Sequence, residues 1–341
     1  MKIPLFSRLV PKIGVDFGSS MIRICTDRTI VSEQPSCLAV NAKTKEVVAI
    51  GVDALNLQGR VEGNITVHWP IQNGVVYDPA LAVALLKIVL QPLLRASFLY
   101  QPVVMVSVAA SSTPVERESM SGLLYTLGAK EVYTIAEPLA ASIGAGVPIA
   151  DASGCFLLQI GDQVVEAGVT ALGSLVRHEK SEYGGAFLAK QITTNLYKSY
   201  GFKIGISQAK KLLEQVASVY PESNRYLSVT GKDGKQGNPV ELKITAAKLV
   251  DSVLPTVEKY HKLLQQLLAK IPPELTVDIL DKGLLLSGGV AQLHGLDRYL
   301  LQTLNMPVAL VDSPERSVIL GIQTALQHLD EYTQSLGYVN E

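Results

Sequence analysis

Cysteine and charge are both scarce in this chain, and each scarcity excludes something. Only three cysteines, Cys25, Cys37 and Cys155, stand among 341 residues, without metal-ligand spacing. An odd and scattered set excludes a disulfide framework and fits a reduced cytoplasm. Charged residues make up only 18%, and 30 Lys plus Arg meet 31 Asp plus Glu. So even a balance leaves no basic footprint for nucleic acid. It also weakens colloidal repulsion, which suits a chain that self-associates. The histidines, His68, His178, His261, His294 and His328, show no ligand spacing and read as structural or solvated. No secretory leader is legible, because Pro4 and Arg8 interrupt the start. The longest apolar stretch, Ala80 to Leu94, is broken by Lys87, Gln91 and Pro92. It reads as a buried helix rather than a membrane span.

Apolar residues are abundant at 48%, enough to fill large cores, and the length calls for two domains. Strands and helices alternate, which implies an α/β class. Lys12 to Thr26 reads as strand, Gly-Ser-Ser turn, strand, and Val103 to Ala109 as a buried strand. A helix is expected to start at Thr113-Pro114, where Thr caps, Pro suits the first position and Glu116 complements the dipole. The second half repeats the plan. Phe156 to Val169 is again strand, turn, strand, so Val15-Asp16-Phe17-Gly18 lines up with Leu158-Gln159-Ile160-Gly161. Gly283 to Leu286 is a strand that runs into Ser287-Gly288-Gly289 and a helical pattern. Two such halves argue for an internal duplication.

The residues at these turns suit phosphate chemistry. Gly lets backbone N–H groups approach phosphates without a Cβ in the way. Acids at the turn entries can hold water on a cation, and a further carboxylate can orient an attacking water. Read locally and without any resemblance, Asp16 is rather an Asx-turn residue and Glu137 a first-turn helix acid. Trp69 beside Pro70 reads as core.

At this point the chain resembles a known family. Gly14-Val15-Asp16-Phe17-Gly18-Ser19 looks like the first phosphate loop of the actin and heat-shock-chaperone superfamily. Val132 to Gly146, VYTIAEPLAASIGAG, is similar to the stretch that carries the catalytic Glu of the MreB bacterial actins. Gly59-Arg60 to Gly74-Val75-Val76, Pro272-Pro273-Glu274-Leu275 and Gly283 to Leu296 resemble MreB in the same order, so the likeness runs from about Lys12 to Leu326. FtsA, ParM and PilM share the loops but not the text between them. The resemblance implies an actin-like fold of two duplicated α/β domains, four subdomains in all, around a nucleotide cleft. Domain I would be 12–145 (IA 12–31 and 75–145, IB insert 32–74). Domain II would be 146–326 (IIA 146–182 and 244–326, IIB insert 183–243). A segment 1–11 would contact membrane, and 327–341 would be a tail.

The resemblance also implies ATP with magnesium, a homopolymer, and attachment to the inner face of the cell membrane from the cytoplasm. Its partners there would be membrane proteins of cell-wall elongation. Carried over residue by residue, Glu137 would position water. Asp16, Gly18, Ser19, Ser20, Gly161, Asp162, Gln163, Gly185, Lys210, Ser287, Gly288 and Gly289 would line the nucleotide, with Asp16 and Asp162 as the metal-side acids. Phe98 and Leu99 stand where MreB carries a membrane-inserting loop. Lys2, Ile3, Leu5, Phe6, Arg8, Leu9 and Val10 would form a short amphipathic anchor; packing of both segments on the body is the other reading.

Departures from the family pattern weigh against hydrolysis. The family's Asp-Ile-Gly-Gly-Gly-Thr-Thr-Glu stands here as Gln159-Ile160-Gly161-Asp162-Gln163-Val164-Val165-Glu166. A metal-linked acid becomes an amide, two glycines gain side chains, and a threonine hydroxyl is lost. Met21 and Ile22 replace Asn and Thr in the first loop. Gly185-Ala186-Phe187 replaces Gly-Asp-Glu, and Lys210 and Leu213 replace a Glu and a Lys at the ribose and base. An unpaired Asp162 would repel a triphosphate by several kcal/mol, about what two close charges cost near a protein surface. Hydrolysis is therefore expected to be absent or weak. Two alternatives stay open: an ordinary ATP-hydrolysing filament in which Asp162 recruits the cation, and a non-polymerising membrane adaptor of the FtsA or PilM kind.

Overall fold

A computed structural model describes residues 10–59, 64–96, 101–148 and 152–329. The start at Lys2 to Leu9, the tip at Phe98 and Leu99, and the tail from residue 330 lie outside the described residues. The chain divides into two compact units: residues 1–151, 172–175 and 316–341, and residues 152–171 and 176–315.

In the first unit, Lys12–Phe17 and Met21–Thr26 form an antiparallel hairpin. Their five-stranded sheet runs, edge to edge, Glu131–Ala136, Val103–Val108, Lys12–Phe17, Met21–Thr26 and Ile30–Pro35. Val103–Val108 pairs in parallel with both of its neighbours and is buried at every residue. A parallel strand covered on both faces has no solvent side, hence its unbroken apolar text. Pro79–Ala96 is the expected helix, but it buries only one face, through Ala82, Leu85, Leu86, Val89 and Leu90, and leaves Lys87, Ile88 and Gln91 exposed. Among the described residues no helix is long and apolar enough to cross a membrane. Pro114–Thr126 begins as the sequence dictates. Thr113 Oγ1 accepts the Glu116 N–H, and the Glu116 carboxylate accepts the Thr113 N–H at 2.8 Å, a capping box worth about 1 kcal/mol. A small three-stranded sheet, Val47–Ile50, Leu38–Asn41 and Ile65–His68, closes with a short helix over Cys37, Ala39, Ala54 and Trp69. Trp69 was expected in the core; it is half-buried and packs against this cluster.

The closing helix Ser317–Gln327 also belongs to the first unit, outside the expected boundary of 146–326 for the second domain. The reason is steric and apolar. Gly321 lies against the Ala140 carbonyl of helix Glu137–Gly144, and Gly144 against the Ser317 carbonyl, so the two backbones touch where side chains are missing. Ile319, Ile322, Ala325 and Leu326 are buried there, and Lys12 Nζ donates to the Leu326 carbonyl at 2.8 Å.

The second unit repeats the hairpin. Cys155–Ile160 pairs antiparallel with Val165–Ala171 and parallel with Leu284–Ser287. Its five-stranded sheet runs Ser174–Ser181, Val165–Ala171, Cys155–Ile160, Leu284–Ser287 and Val308–Leu310. Helices Gly185–Tyr200, Ile206–Gln215 and Val250–Leu268 supply much of one large core around Phe156, Ile192, Leu212, Val257 and Tyr260. A second small sheet, Phe202–Lys203, Tyr226–Asp233 and Pro239–Thr245, includes a hairpin that holds Gly231, Gly234 and Gly237. Pro272-Pro273 separates helices Val250–Leu268 and Pro273–Lys282, since Pro cannot continue the first.

Candidate functional site

The first turn is built from the hairpin. Gly18 N–H donates to the Met21 carbonyl at 3.0 Å, and a Cβ on Gly18 would lie 3.2 Å from that oxygen. Ser19 and Ser20 make the turn. Ser19 Oγ accepts the Gly74 N–H at 3.4 Å, and the Ser20 carbonyl accepts the Ser36 N–H at 2.9 Å. The turn is thus braced by the small-sheet segment rather than left to itself.

Asp16 precedes this turn and is buried. Both of its oxygens are engaged: Oδ1 accepts from Ser107 Oγ at 3.0 Å and Oδ2 from Arg23 Nη1 at 3.3 Å. Burial pushes the carboxyl above its ordinary value, while the Arg23 charge and the two hydrogen bonds pull it back. Arg23 is the cross-strand partner of Asp16 in the hairpin register. It also donates through Nε to Glu33 at 3.0 Å, and Glu33 in turn pairs with Arg316 at 2.8 Å. Sequence reading missed Arg23. The signal was a lone charge inside the apolar run Met21–Thr26, placed opposite Asp16 by a turn of known length.

The second turn copies the first. Gly161 N–H donates to the Val164 carbonyl at 2.9 Å, and Gln159 faces Glu166 in register as Asp16 faces Arg23. The duplicated position therefore carries acid and base in one half, and amide and acid in the other. Gln159 and Glu166 are both buried. Asp162 and Gln163 make the turn, and its carbonyls are used by the next helix. Gly185 N–H donates to Gly161 O at 3.0 Å and Ala186 N–H to Asp162 O at 2.7 Å. Such closeness requires Gly184, whose Cβ would stand 2.6 Å from the Asp162 carbonyl oxygen. The Asp162 carboxylate is not unpaired, as the Coulomb argument assumed. Lys210, on helix Ile206–Gln215, holds Oδ1 at 2.7 Å. Leu213, one turn on, is buried in the core.

The third turn lies in the same unit. Ser287 is buried, and Gly288 has φ +89, a conformation that favours glycine. A Cβ there would run into the Ile160 carbonyl, while one on Gly289 would meet nothing. In the second unit the structure thus brings Gly161, Asp162, Gly185, Lys210 and Gly288 together. In the first, Glu137 opens helix Glu137–Gly144, directly after the strand that ends at Ala136. Among the described residues, no group of three or more His, Cys, Asp or Glu is arranged to hold a metal ion.

A family model described as MreB/Mbl protein matches residues 10–334. The chain belongs to the MreB/Mbl family. It is 29% identical to the cell shape-determining protein Mbl of Bacillus subtilis (strain 168), covering 94% of this chain and 96% of that one. It is 30% identical to the cell shape-determining protein MreB of Escherichia coli (strain K12), over 93% and 94% of the two chains. Among solved structures, MreB5 of Spiroplasma citri bound to AMPPNP matches at TM-score 0.90 and 25% identity, covering 95% of this chain and 98% of that one. The same protein bound to ADP matches equally. A MamK double helical filament, at 16% identity and TM-score 0.75, shares the fold. The MreB/Mbl fold is actin-like, as the resemblance implied.

Proposed function

We propose that this MreB/Mbl chain is a filament subunit of the cell-shape cytoskeleton that binds an adenine nucleotide, hydrolyses it slowly or not at all, and assembles on a membrane surface. One observation carries the nucleotide reading: near-full-length likeness to a relative solved with both AMPPNP and ADP, together with glycine turns of the kind phosphates need. In the first unit Gly18, Ser19 and Ser20 would receive phosphate, and in the second unit Gly161, Asp162 and Gln163 would do so. Lys210, paired with Asp162, would stand beside that turn, Gly185, Ser287, Gly288 and Gly289 would meet the nucleoside end, and Glu137 would orient water. ATP chemistry here would be phosphoryl transfer to water, which depends on positioning and charge. Gln159, an amide where the family has an acid, supports slow hydrolysis.

Self-association is supported by the even charge balance and by kinship with cell-shape proteins. Membrane contact is supported by sequence alone: Phe98 and Leu99 as an apolar tip, and Lys2 and Arg8 beside apolar residues at the start, which suit anionic lipid. Cell-wall elongation proteins are the partner class that the kinship suggests. Electron microscopy of the chain with ATP, with ADP and without nucleotide is expected to show polymers, and liposome co-sedimentation to pellet the wild type. A Phe98→Ser, Leu99→Ser double mutant and a deletion of residues 1–10 are each expected to pellet less. No polymer under every nucleotide condition would move the chain to the adaptor class, and equal pelleting by all three proteins would remove both anchors.

A further inference from the structure

We infer that the chain's own cations stand where a divalent metal would act: Arg23 at Asp16 and Lys210 at Asp162, so that its nucleotide site works without magnesium. The inference rests on the nucleotide reading above and narrows it. A metal-side carboxylate must offer oxygen lone pairs to the ion or to its water. Asp16 has both oxygens committed inside the first unit, to Ser107 and Arg23. Its cation is not a loose surface partner, since Arg23 is buried and its other face is fixed by Glu33. A dication brought to Asp16 would meet that guanidinium at the same carboxylate, and like charges so close repel. Neutralising the pair first would mean breaking a buried, hydrogen-bonded network.

The second unit tells the same story by other means. Its equivalent of Asp16 is Gln159, an amide with no charge to offer. The one acid in the turn, Asp162, is held by Lys210 at 2.7 Å. Lys210 is a third exposed and sits on a helix that reaches the phosphate turn. A compact ammonium beside a phosphate turn is a point charge that phosphate oxygens accept. The geometry therefore leaves each turn with one basic side chain beside its acid, Arg23 at Asp16 and Lys210 at Asp162.

The test uses the full chain and two probes. Mn²⁺ alone is titrated into the protein and followed by its electron paramagnetic resonance signal. Fluorescent ADP is titrated in magnesium and again in EDTA, followed by anisotropy. The inference expects no stoichiometric Mn²⁺ site and ADP affinities within about twofold of each other in the two buffers. Lys210→Ala, at a partly exposed position that folding tolerates, is expected to weaken ADP binding in EDTA more than in magnesium. Stoichiometric Mn²⁺ binding that Asp16→Asn or Asp162→Asn removes would overturn the inference, as would a tenfold or greater loss of ADP affinity in EDTA. A Lys210→Ala protein that binds ADP like the wild type in both buffers would overturn the role given to Lys210. Failure to bind ADP in any buffer, with no Mn²⁺ site, would uphold the metal-free carboxylates and sink the nucleotide reading instead.

Discussion

At the residue scale, Glu33 sits between two guanidinium groups, accepting from Arg23 Nε at 3.0 Å and Arg316 Nε at 2.9 Å. Burial works to raise its carboxyl pKa, but the hydrogen bonds and charges of Arg316 and Arg23 outweigh it and hold the group below its ordinary 4.5. A depressed carboxylate stabilises the fold above its unfolded pKa and loses that contribution as pH falls through the folded one. Glu33→Gln is therefore expected to cost about 1.5–3 kcal/mol at neutral pH, the range for hydrogen bonds to charged groups. The gap to wild type in urea unfolding should close as pH drops below 4.5. A gap that stayed constant over that range would mean that Glu33 contributes through packing and not charge. These pairings were the least legible part of the site. Asp16 could be named from its motif, but its partner Arg23 depends on a strand register. Asp162 and Lys210 are far apart in sequence, joined only when a helix folds back to the turn.

At the scale of elements, much was legible because local signals agreed with the fold. The Gly-Ser-Ser turn, the Val run at 103–108 and the Thr113-Pro114 cap each specify one element, and each element formed there. The placement of Ser317–Gln327 was not legible, because an apolar helical pattern does not state which sheet it covers. Small residues settled it. Gly144 and Gly321 let two helices meet backbone to backbone, which orients the helix that begins at Glu137. Gly321→Ala would drive a methyl into the Ala140 carbonyl. It is expected to cost about 1–3 kcal/mol, as overpacking does. Gly122 is the control: it lies exposed within helix Pro114–Thr126, and a Cβ there meets nothing. Gly122→Ala should raise stability by up to about 1 kcal/mol through helix propensity. Thermal melts of both variants decide the matter, and a Gly321→Ala protein as stable as Gly122→Ala would show that the crossing is loose.

At the scale of the whole molecule, the duplicated hairpins give the chain its actin-like plan. The two halves differ at the matching position: the first carries Asp16, paired with Arg23, and the second carries Gln159, with Asp162 paired to Lys210 in the turn. Neither difference falls on the cores, which are continuous and apolar in both units. The proposed function accordingly joins assembly, which needs the cores, to slow or absent hydrolysis. The measurement that tests it most directly is the phosphate released per subunit pelleted during assembly with ATP. Polymer is expected in the pellet with far less than one phosphate released per sedimented subunit. One phosphate or more per subunit, released as the polymer forms, would contradict it and mark the chain as an ordinary ATP-hydrolysing filament protein.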